Sequence, residues 1–241
     1  MFAELFARRC ALCGLVAGNL NVCAGCSADL PWIRQGCDQC GRPLPANVST
    51  GVCARCLAGA AQAFRTSSAL VYEYPVDCMV TGAKFRGRTE LAYGLGELLA
   101  CWVDRKQRSG HLELPDVVLP VPLHRRRLAS RGFNQAVEIS RPVGHLLGLP
   151  VRTHLCRRVR DSPAQTSLDE RDRLRNMRGA FRAAGELRGA RVAVIDDVIT
   201  TGSTAAACAA ALFAVGVAEV QVWSAARTVS LSRRRISSHE K

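Results

Sequence analysis

Val192-Ala193-Val194-Ile195-Asp196-Asp197-Val198-Ile199-Thr200-Thr201-Gly202-Ser203-Thr204 decides how this chain is read. Four apolar, partly β-branched residues predict a buried strand, and Asp196 and Asp197 stand where that strand is expected to end. A turn of small hydroxyl residues around one glycine follows. It opens onto the alanine-rich run Ala205 to Ala214, which predicts a helix. Strand, tight loop and helix start in that order form an anion site. Loop N–H groups converge with the positive end of the helix dipole, and the glycine lets a ligand approach the backbone. The Thr200, Thr201, Ser203 and Thr204 hydroxyls add donors suited to phosphate oxygens. Carboxylates repel phosphate, so Asp196 and Asp197 suit a diol, or the water on a metal. An ordinary capping turn needs one such residue, whereas this run supplies two acids and four hydroxyls around Gly202. No Gly-Lys-Ser/Thr occurs, which excludes a Walker A loop. The combination points to a phosphorylated sugar.

The run resembles the signature of type I phosphoribosyltransferases: hydrophobic strand, two acids, a hydrophobic pair, then Thr-Thr-Gly-x-Thr. That resemblance implies an α/β class, type I phosphoribosyltransferase fold, an open, mostly parallel sheet flanked by helices. It also implies that Thr200, Thr201, Gly202, Ser203 and Thr204 cradle the 5-phosphate of phosphoribosyl pyrophosphate (PRPP). Asp196 and Asp197 would hold the ribose 2- and 3-hydroxyls as the catalytic pair.

Around this stretch, 241 residues with 48% apolar content suit one globular domain and a small appendage. The first nine residues include Glu4 and no apolar stretch of signal length, so a cytoplasmic protein is expected. Val198 to Ala218 is uncharged and about long enough to span a bilayer. It begins with the hydroxyl-rich loop and contains Gly202 and Gly216, so it reads as loop plus buried helix, with no membrane insertion. The formal charge is +13, carried by 30 Arg and only Lys84, Lys106 and Lys241. Arginine suits phosphate recognition, but excess charge alone does not establish nucleic-acid binding.

Cys10/Cys13, Cys23/Cys26, Cys37/Cys40 and Cys53/Cys56 are four C-x-x-C pairs. The spacing lets both sulfurs of a pair face one ion, and two pairs complete a tetrahedral Cys₄ site. A disulfide framework fits a reducing compartment poorly. Thioredoxin-like redox use needs one motif rather than four, and iron–sulfur ligation uses denser runs. Two structural zinc ribbons are the expectation, in a domain spanning residues 1–60. Pairing in chain order closes two short ribbons; a crossed pairing or a single filled site would satisfy the same spacing. With four protein ligands there is no open position, so the zinc would be structural. Cys78, Cys101, Cys156 and Cys208 lack such partners and read as small buried hydrophobes.

Ser68 to Tyr72 reads as an edge strand, and Val76 to Phe85 and Leu91 to Val103 as helices. Lys84 at the end of the first helix is a candidate phosphate contact. Asp116 to Leu123 predicts another strand, stopped by prolines, which runs into a basic loop, His124-Arg125-Arg126-Arg127. Pro120-Val121-Pro122-Leu123 followed by Arg131-Gly132-Phe133-Asn134-Gln135 resembles the ComF family, phosphoribosyltransferase-like proteins known from bacterial DNA uptake. That family carries an N-terminal zinc ribbon, and the resemblance runs from Cys10 to about Thr228. Gln165, Leu168, Asn176, Ala180 and Phe181 also match its pattern. It implies pyrophosphate contacts from Val121, Pro122, Leu123, His124 and Arg125, with Arg131 and Asn134 nearby. It also implies a mobile flap within Arg157 to Arg178, a stretch whose alternating charge equally suits a solvated helix from Leu168 to Met177. Residues 64–228 would form the phosphoribosyltransferase-like domain and 229–241 a disordered basic tail.

Two functions follow. One is an enzyme that binds Mg²⁺ with PRPP and transfers ribosyl phosphate to a nitrogen nucleophile. The other is a non-catalytic module that senses PRPP or a nucleotide, or holds single-stranded DNA, with competence proteins as partners. His111, His145, His154 and His239 have no Ser or Cys in a triad context, so the sequence points to no histidine general base.

Overall fold

The computed structural model describes residues 8–48, 50–59, 62–161, 177 and 179–229. The flap and the Leu168–Met177 helix lie outside the described residues except for residues 157–161 and 177. Gln165, Leu168, Asn176 and the tail beyond Val229 lie outside them too.

Four parallel strands form the main sheet: β1 (Arg65–Val71), β2 (Val117–Pro120), β5 (Arg191–Ile199) and β6 (Glu219–Arg227), in the order β1-β6-β5-β2. A separate antiparallel pair joins β3 (Cys156–Arg158) to β4 (Phe181–Ala183). The central strands β5 and β6 are nearly all buried, as parallel strands covered on both faces must be. One face packs on α3 (Val76–Arg86), α4 (Thr89–Arg108) and α6 (Gln135–Leu147), through Val76, Leu99, Ile139, Ile195 and Trp223. The other packs on α7 (Ser203–Phe213), where Cys208 and Leu212 meet Val194 and Val222. A Cβ on Gly96 of α4 would collide with the Ile139 carbonyl and Pro142, so only glycine admits so close a crossing of α4 and α6. Among the described residues, no helix is long and apolar enough to cross a membrane.

Strand β5 corrects the expected boundary: it does not end before the acids but continues through them to Ile199. Its neighbour β6 supplies partners all the way, pairing Ser224 with Asp196 and Arg227 with Ile199. Strand β2 stops much earlier, at Pro120 beside Ile195, and Val121 N–H to Ile195 O (2.8 Å) is the last bond across that seam. Proline at 122 has no N–H to continue the ladder. Beyond Ile195, therefore, one side of β5 has no strand partner among the described residues, and the acids lie along that opening.

β6 carries no obvious strand pattern, because Gln221 and Ser224 interrupt it. Both are satisfied internally: Gln221 Nε2 donates to Glu113 O (3.0 Å), and the Ser224 and Ser68 hydroxyls meet at 2.7 Å. The edge expected at β1 is covered. Ile33 N–H donates to Ala69 O (2.9 Å), Val71 N–H to Pro31 O (2.8 Å) and Thr66 N–H to Gln39 O (3.0 Å), so ribbon backbone closes it. On α4, buried Glu97 accepts Asn21 N–H at 2.6 Å and lies 3.7 Å from Arg8, which seats the first ribbon.

Candidate functional site

The connections out of β2 and β5 leave on opposite faces of the sheet, β2 toward α6 and β5 into α7. Adjacent strands that part in this way open a crevice at their carboxyl ends, where open α/β sheets bind ligands. Both segments singled out from the sequence lie there, one at each lip.

On the β5 lip, Asp196 Oδ1 accepts Asp197 N–H (2.9 Å) and Asp197 Oδ1 accepts Val198 N–H (2.8 Å). Lys84, from the last turn of α3, brings Nζ to 2.6 Å from Asp197 Oδ2. The sequence treats Lys84 as a phosphate contact, but here its charge is matched by an acid. Burial, then the neighbouring Asp197 charge, raises the Asp196 carboxyl to about 7 against the opposing pull of Lys84. The folded chain thus holds a proton on Asp196 that the unfolded chain releases. The resulting penalty is absent below the ordinary value of 3.8, grows as pH climbs toward about 7, and is complete above it. Asp196→Asn should therefore raise the melting temperature at pH 8, by ~2–4 °C per kcal/mol relieved in a chain of this size, and leave it near wild type at pH 4. Scanning calorimetry at the two pH values checks this; equal melting at pH 8 would mean Asp196 is well solvated.

The hydroxyl loop follows directly. Gly202 adopts φ +86°, the left-handed region, and turns the chain into α7. The Thr201 and Ser203 hydroxyls meet at 2.7 Å, and Thr201 Oγ1 accepts Ser203 N–H at 3.3 Å. Thr200 is exposed, while Thr201, Gly202 and Thr204 are half-buried around the start of α7.

On the β2 lip, Val121 is buried and Pro122 and Leu123 are half-buried. The expected basic loop is instead a short helix, α5 (Arg125–Arg131), because His124 caps it: Nδ1 accepts Arg126 N–H at 3.4 Å. Asn134 ties this lip to the strand, donating to Val121 O (3.0 Å) while capping α6 through Ala136 N–H. Arg125 is exposed. Arg131 donates to Gln135 Oε1 (2.7 Å) and lies over the exposed ring of Phe85 (6.0 Å).

Arg158 and Asp161 are site neighbours that sequence reasoning missed. Asp161 lies 3.5 Å from His124 Nδ1 and 3.8 Å from Arg127 Nε. The half-buried Arg158 guanidinium rests on the Phe181 ring (5.7 Å). Burial and then Arg127 lower its pKa, while Asp161 and Asp196 support its charge. Arg157 and Arg158 look alike in sequence, and only strand alternation in the hairpin turns one inward. A cavity of about 800 Å³ lies elsewhere, between the second ribbon, the start of β1 and the end of α4, and neither the acids nor the hydroxyl loop line it.

Both cysteine sets assemble in chain order: Cys10, Cys13, Cys23 and Cys26 in one cluster, Cys37, Cys40, Cys53 and Cys56 in the other. A Zn–S bond of about 2.3 Å sets tetrahedral sulfurs about 3.8 Å apart. Cys13 and Cys23 are 3.8 Å apart, and Cys40 and Cys53 3.7 Å. Burial opposes a thiolate at Cys10, but N–H groups of Cys23, Cys13 and Leu12 outweigh it and lower the thiol to about 6. The donor set therefore fits structural zinc. Of the other cysteines, Cys156 and Cys208 are buried against each other at 3.6 Å, whereas Cys78 is exposed, against expectation, because it faces outward on α3.

The double zinc ribbon domain family matches residues 2–57. Over 222 residues the chain is 37% identical to the DNA utilization protein YhgH of Salmonella typhimurium, covering 91% of this chain and 97% of that one. It is 32% identical over 232 residues to Competence protein F of Haemophilus influenzae, covering 93% and 99% respectively. The chain belongs to the ComF family. Among solved structures, this ComF protein matches a glutamine PRPP amidotransferase from B. subtilis, complexed with ADP and GMP. Identity there is 20% and the TM-score 0.37, over 56% of this chain and 26% of that longer one. The α/β part of this ComF protein has the type I phosphoribosyltransferase fold, joined to two Cys₄ zinc ribbons.

Proposed function

We propose that the crevice between β2 and β5 binds a 5-phosphorylated ribose, as PRPP with Mg²⁺, and that the protein serves DNA uptake and use. One observation carries the binding reading: the early stop of β2 leaves Asp196 and Asp197 along an open strand side, directly before the Gly202 turn and the start of α7. A diol on the acids and a monoester on the loop amides and hydroxyls satisfy both ends of that arrangement. The pyrophosphate end would meet the His124–Arg125 lip and Arg158. Magnesium would come as the counter-ion of that end, a hard cation suited to carboxylate and phosphate oxygens. If ribosyl transfer occurs, positive charge develops at the anomeric carbon, and holding both ends of the sugar supplies the positioning on which such a step depends.

The process assignment rests on the relatives, one called a DNA utilization protein and another a competence protein. A cytoplasmic setting accords with the twelve unbridged cysteines. A binding role on single-stranded DNA, without transfer, is favoured by Phe85, 74% exposed beside Lys84 with Arg131 over its ring. Isothermal titration with PRPP and Mg²⁺, repeated with single-stranded DNA at rising salt, separates these readings. Saturable PRPP binding with pyrophosphate release on adding an acceptor supports an enzyme. PRPP binding without release, with DNA affinity that falls steeply in salt, supports the binding module. No PRPP binding at all overturns the site.

A further inference from the structure

The two ribbons are built into the protein differently. The first rests on α4: Val22 packs at Gly94, and Asn21 N–H is held by Glu97. The second lies along β1, with Cys40 bridged to Thr66 and Gly41 so close to the Thr66 carbonyl and the Ser68 hydroxyl that a Cβ would stand 3.0–3.1 Å from them. From there two separate paths lead to the hydroxyl loop.

The first path is Gln62. It lines the cavity beneath the second ribbon together with Cys37 and Gln39, and its side-chain Nε2 lies 3.6 Å from where a Cβ on Gly202 would stand. An amide donor carried on the segment after the ribbon thus sits at the turn that begins α7. Nothing in the local sequence marks it, because Gln62 stands in an Ala-rich stretch 140 residues from the loop.

The second path is Arg227, the last residue of β6, 3% exposed. Its Nε finds no hydrogen-bond partner among the described residues. A buried guanidinium needs compensating negative charge. The backbone beside it is engaged at the site: Thr228 N–H and hydroxyl both reach Ile199 O (3.1 and 3.5 Å), the residue immediately before Thr200. Strand β1, to which Cys40 is bridged at Thr66, pairs along β6 as far as Val71 and Arg227, and Thr228 then meets Ile199, so a backbone path joins the second ribbon to the loop.

We propose that the second ribbon is a wall of the phosphate cradle: through Gln62 and Arg227 it holds the Thr200–Thr204 loop in its anion-binding shape, and Gln62 adds a donor to the bound phosphate. The first ribbon takes no part in this. The inference rests on the reading of that loop as a phosphate site. It assigns the zinc ion at Cys37, Cys40, Cys53 and Cys56 a role beyond folding its own ribbon, since that ion fixes Cys40 and Gly41 against β1 at Thr66 and Ser68.

The test uses the full chain with its zinc, as wild type, Gln62→Ala, Arg227→Gln and, as a control in the first ribbon, Cys13→Ser. Hydrogen exchange of the peptide covering 199–204 is read without ligand, PRPP–Mg²⁺ affinity by titration, and zinc per chain by metal analysis. Gln62→Ala and Arg227→Gln are expected to speed exchange in 199–204, and Gln62→Ala to weaken PRPP about tenfold, the loss of one hydrogen bond to a charged group. Cys13→Ser should lower zinc content and speed exchange in the first ribbon and α4, leaving 199–204 as in wild type. Gln62→Ala keeps the question answerable if Arg227→Gln does not fold. Wild-type exchange and wild-type affinity in Gln62→Ala, or faster loop exchange in Cys13→Ser, overturns the inference. A wild-type protein that fails to bind PRPP overturns the reading of the site instead, while the exchange data still decide whether the second ribbon holds the loop.

Discussion

Replacing Asp196 and Asp197 together by asparagine is expected to reduce PRPP affinity at least about a hundredfold, since each acid would otherwise accept a hydroxyl in a charged hydrogen bond of ~1.5–3 kcal/mol. The variant should still fold. Asp196 is held up by burial, so losing its charge relieves the strand rather than weakening it. Asp197→Asn leaves Lys84 without its 2.6 Å partner, but that side chain is 26% exposed and water can take over part of its solvation. Circular dichroism and titration calorimetry on the same preparation separate the two effects. Binding retained in a folded double variant would remove the acids from the site and leave the hydroxyl loop as an ordinary helix start.

Stripping zinc should have the largest effect on stability. Structural zinc in small ribbons is worth ~10–16 kcal/mol of folding free energy, and residues 8–59 contain few buried apolar side chains besides the cysteines themselves. Metal analysis is expected to find two ions per chain. A thiol reagent should find exposed Cys78 quickly in the loaded protein, and eight further thiols after a strong chelator. Losing the ribbons uncovers the backbone of β1 now covered by Pro31, Ile33 and Gln39, and a bare parallel edge invites association, so aggregation should accompany metal loss. Protein isolated without metal, with those eight cysteines joined as disulfides, would contradict the assignment.

Different parts of this molecule were legible to different depths. The ribbons were fully legible as to ligands, because a C-x-x-C turn places two sulfurs together by local chain geometry; the choice of chain-order over crossed pairing was not, since it depends on how the turns pack. The strand–loop–helix around Gly202 was legible for the same local reason. Its boundary was misjudged because hydrogen bonding from β6, a strand broken by Gln221 and Ser224, extends β5 past its apolar run. The basic segment after Leu123 reads as a loop in sequence, since arginines carry no amphipathic signal and the cap at His124 is a side-chain contact. Sequence alone thus determined the chemistry on offer: two four-thiolate sets, an acid pair, a hydroxyl turn and an excess of arginine. Tertiary structure decided where that chemistry faces. Pro120 and Ile195, Lys84 and Asp197, and Gln62 and Gly202 are neighbours only once the sheet is assembled. Backbone geometry sets contacts a few residues apart, whereas contacts across a parallel sheet depend on which strands pair and where their pairing stops.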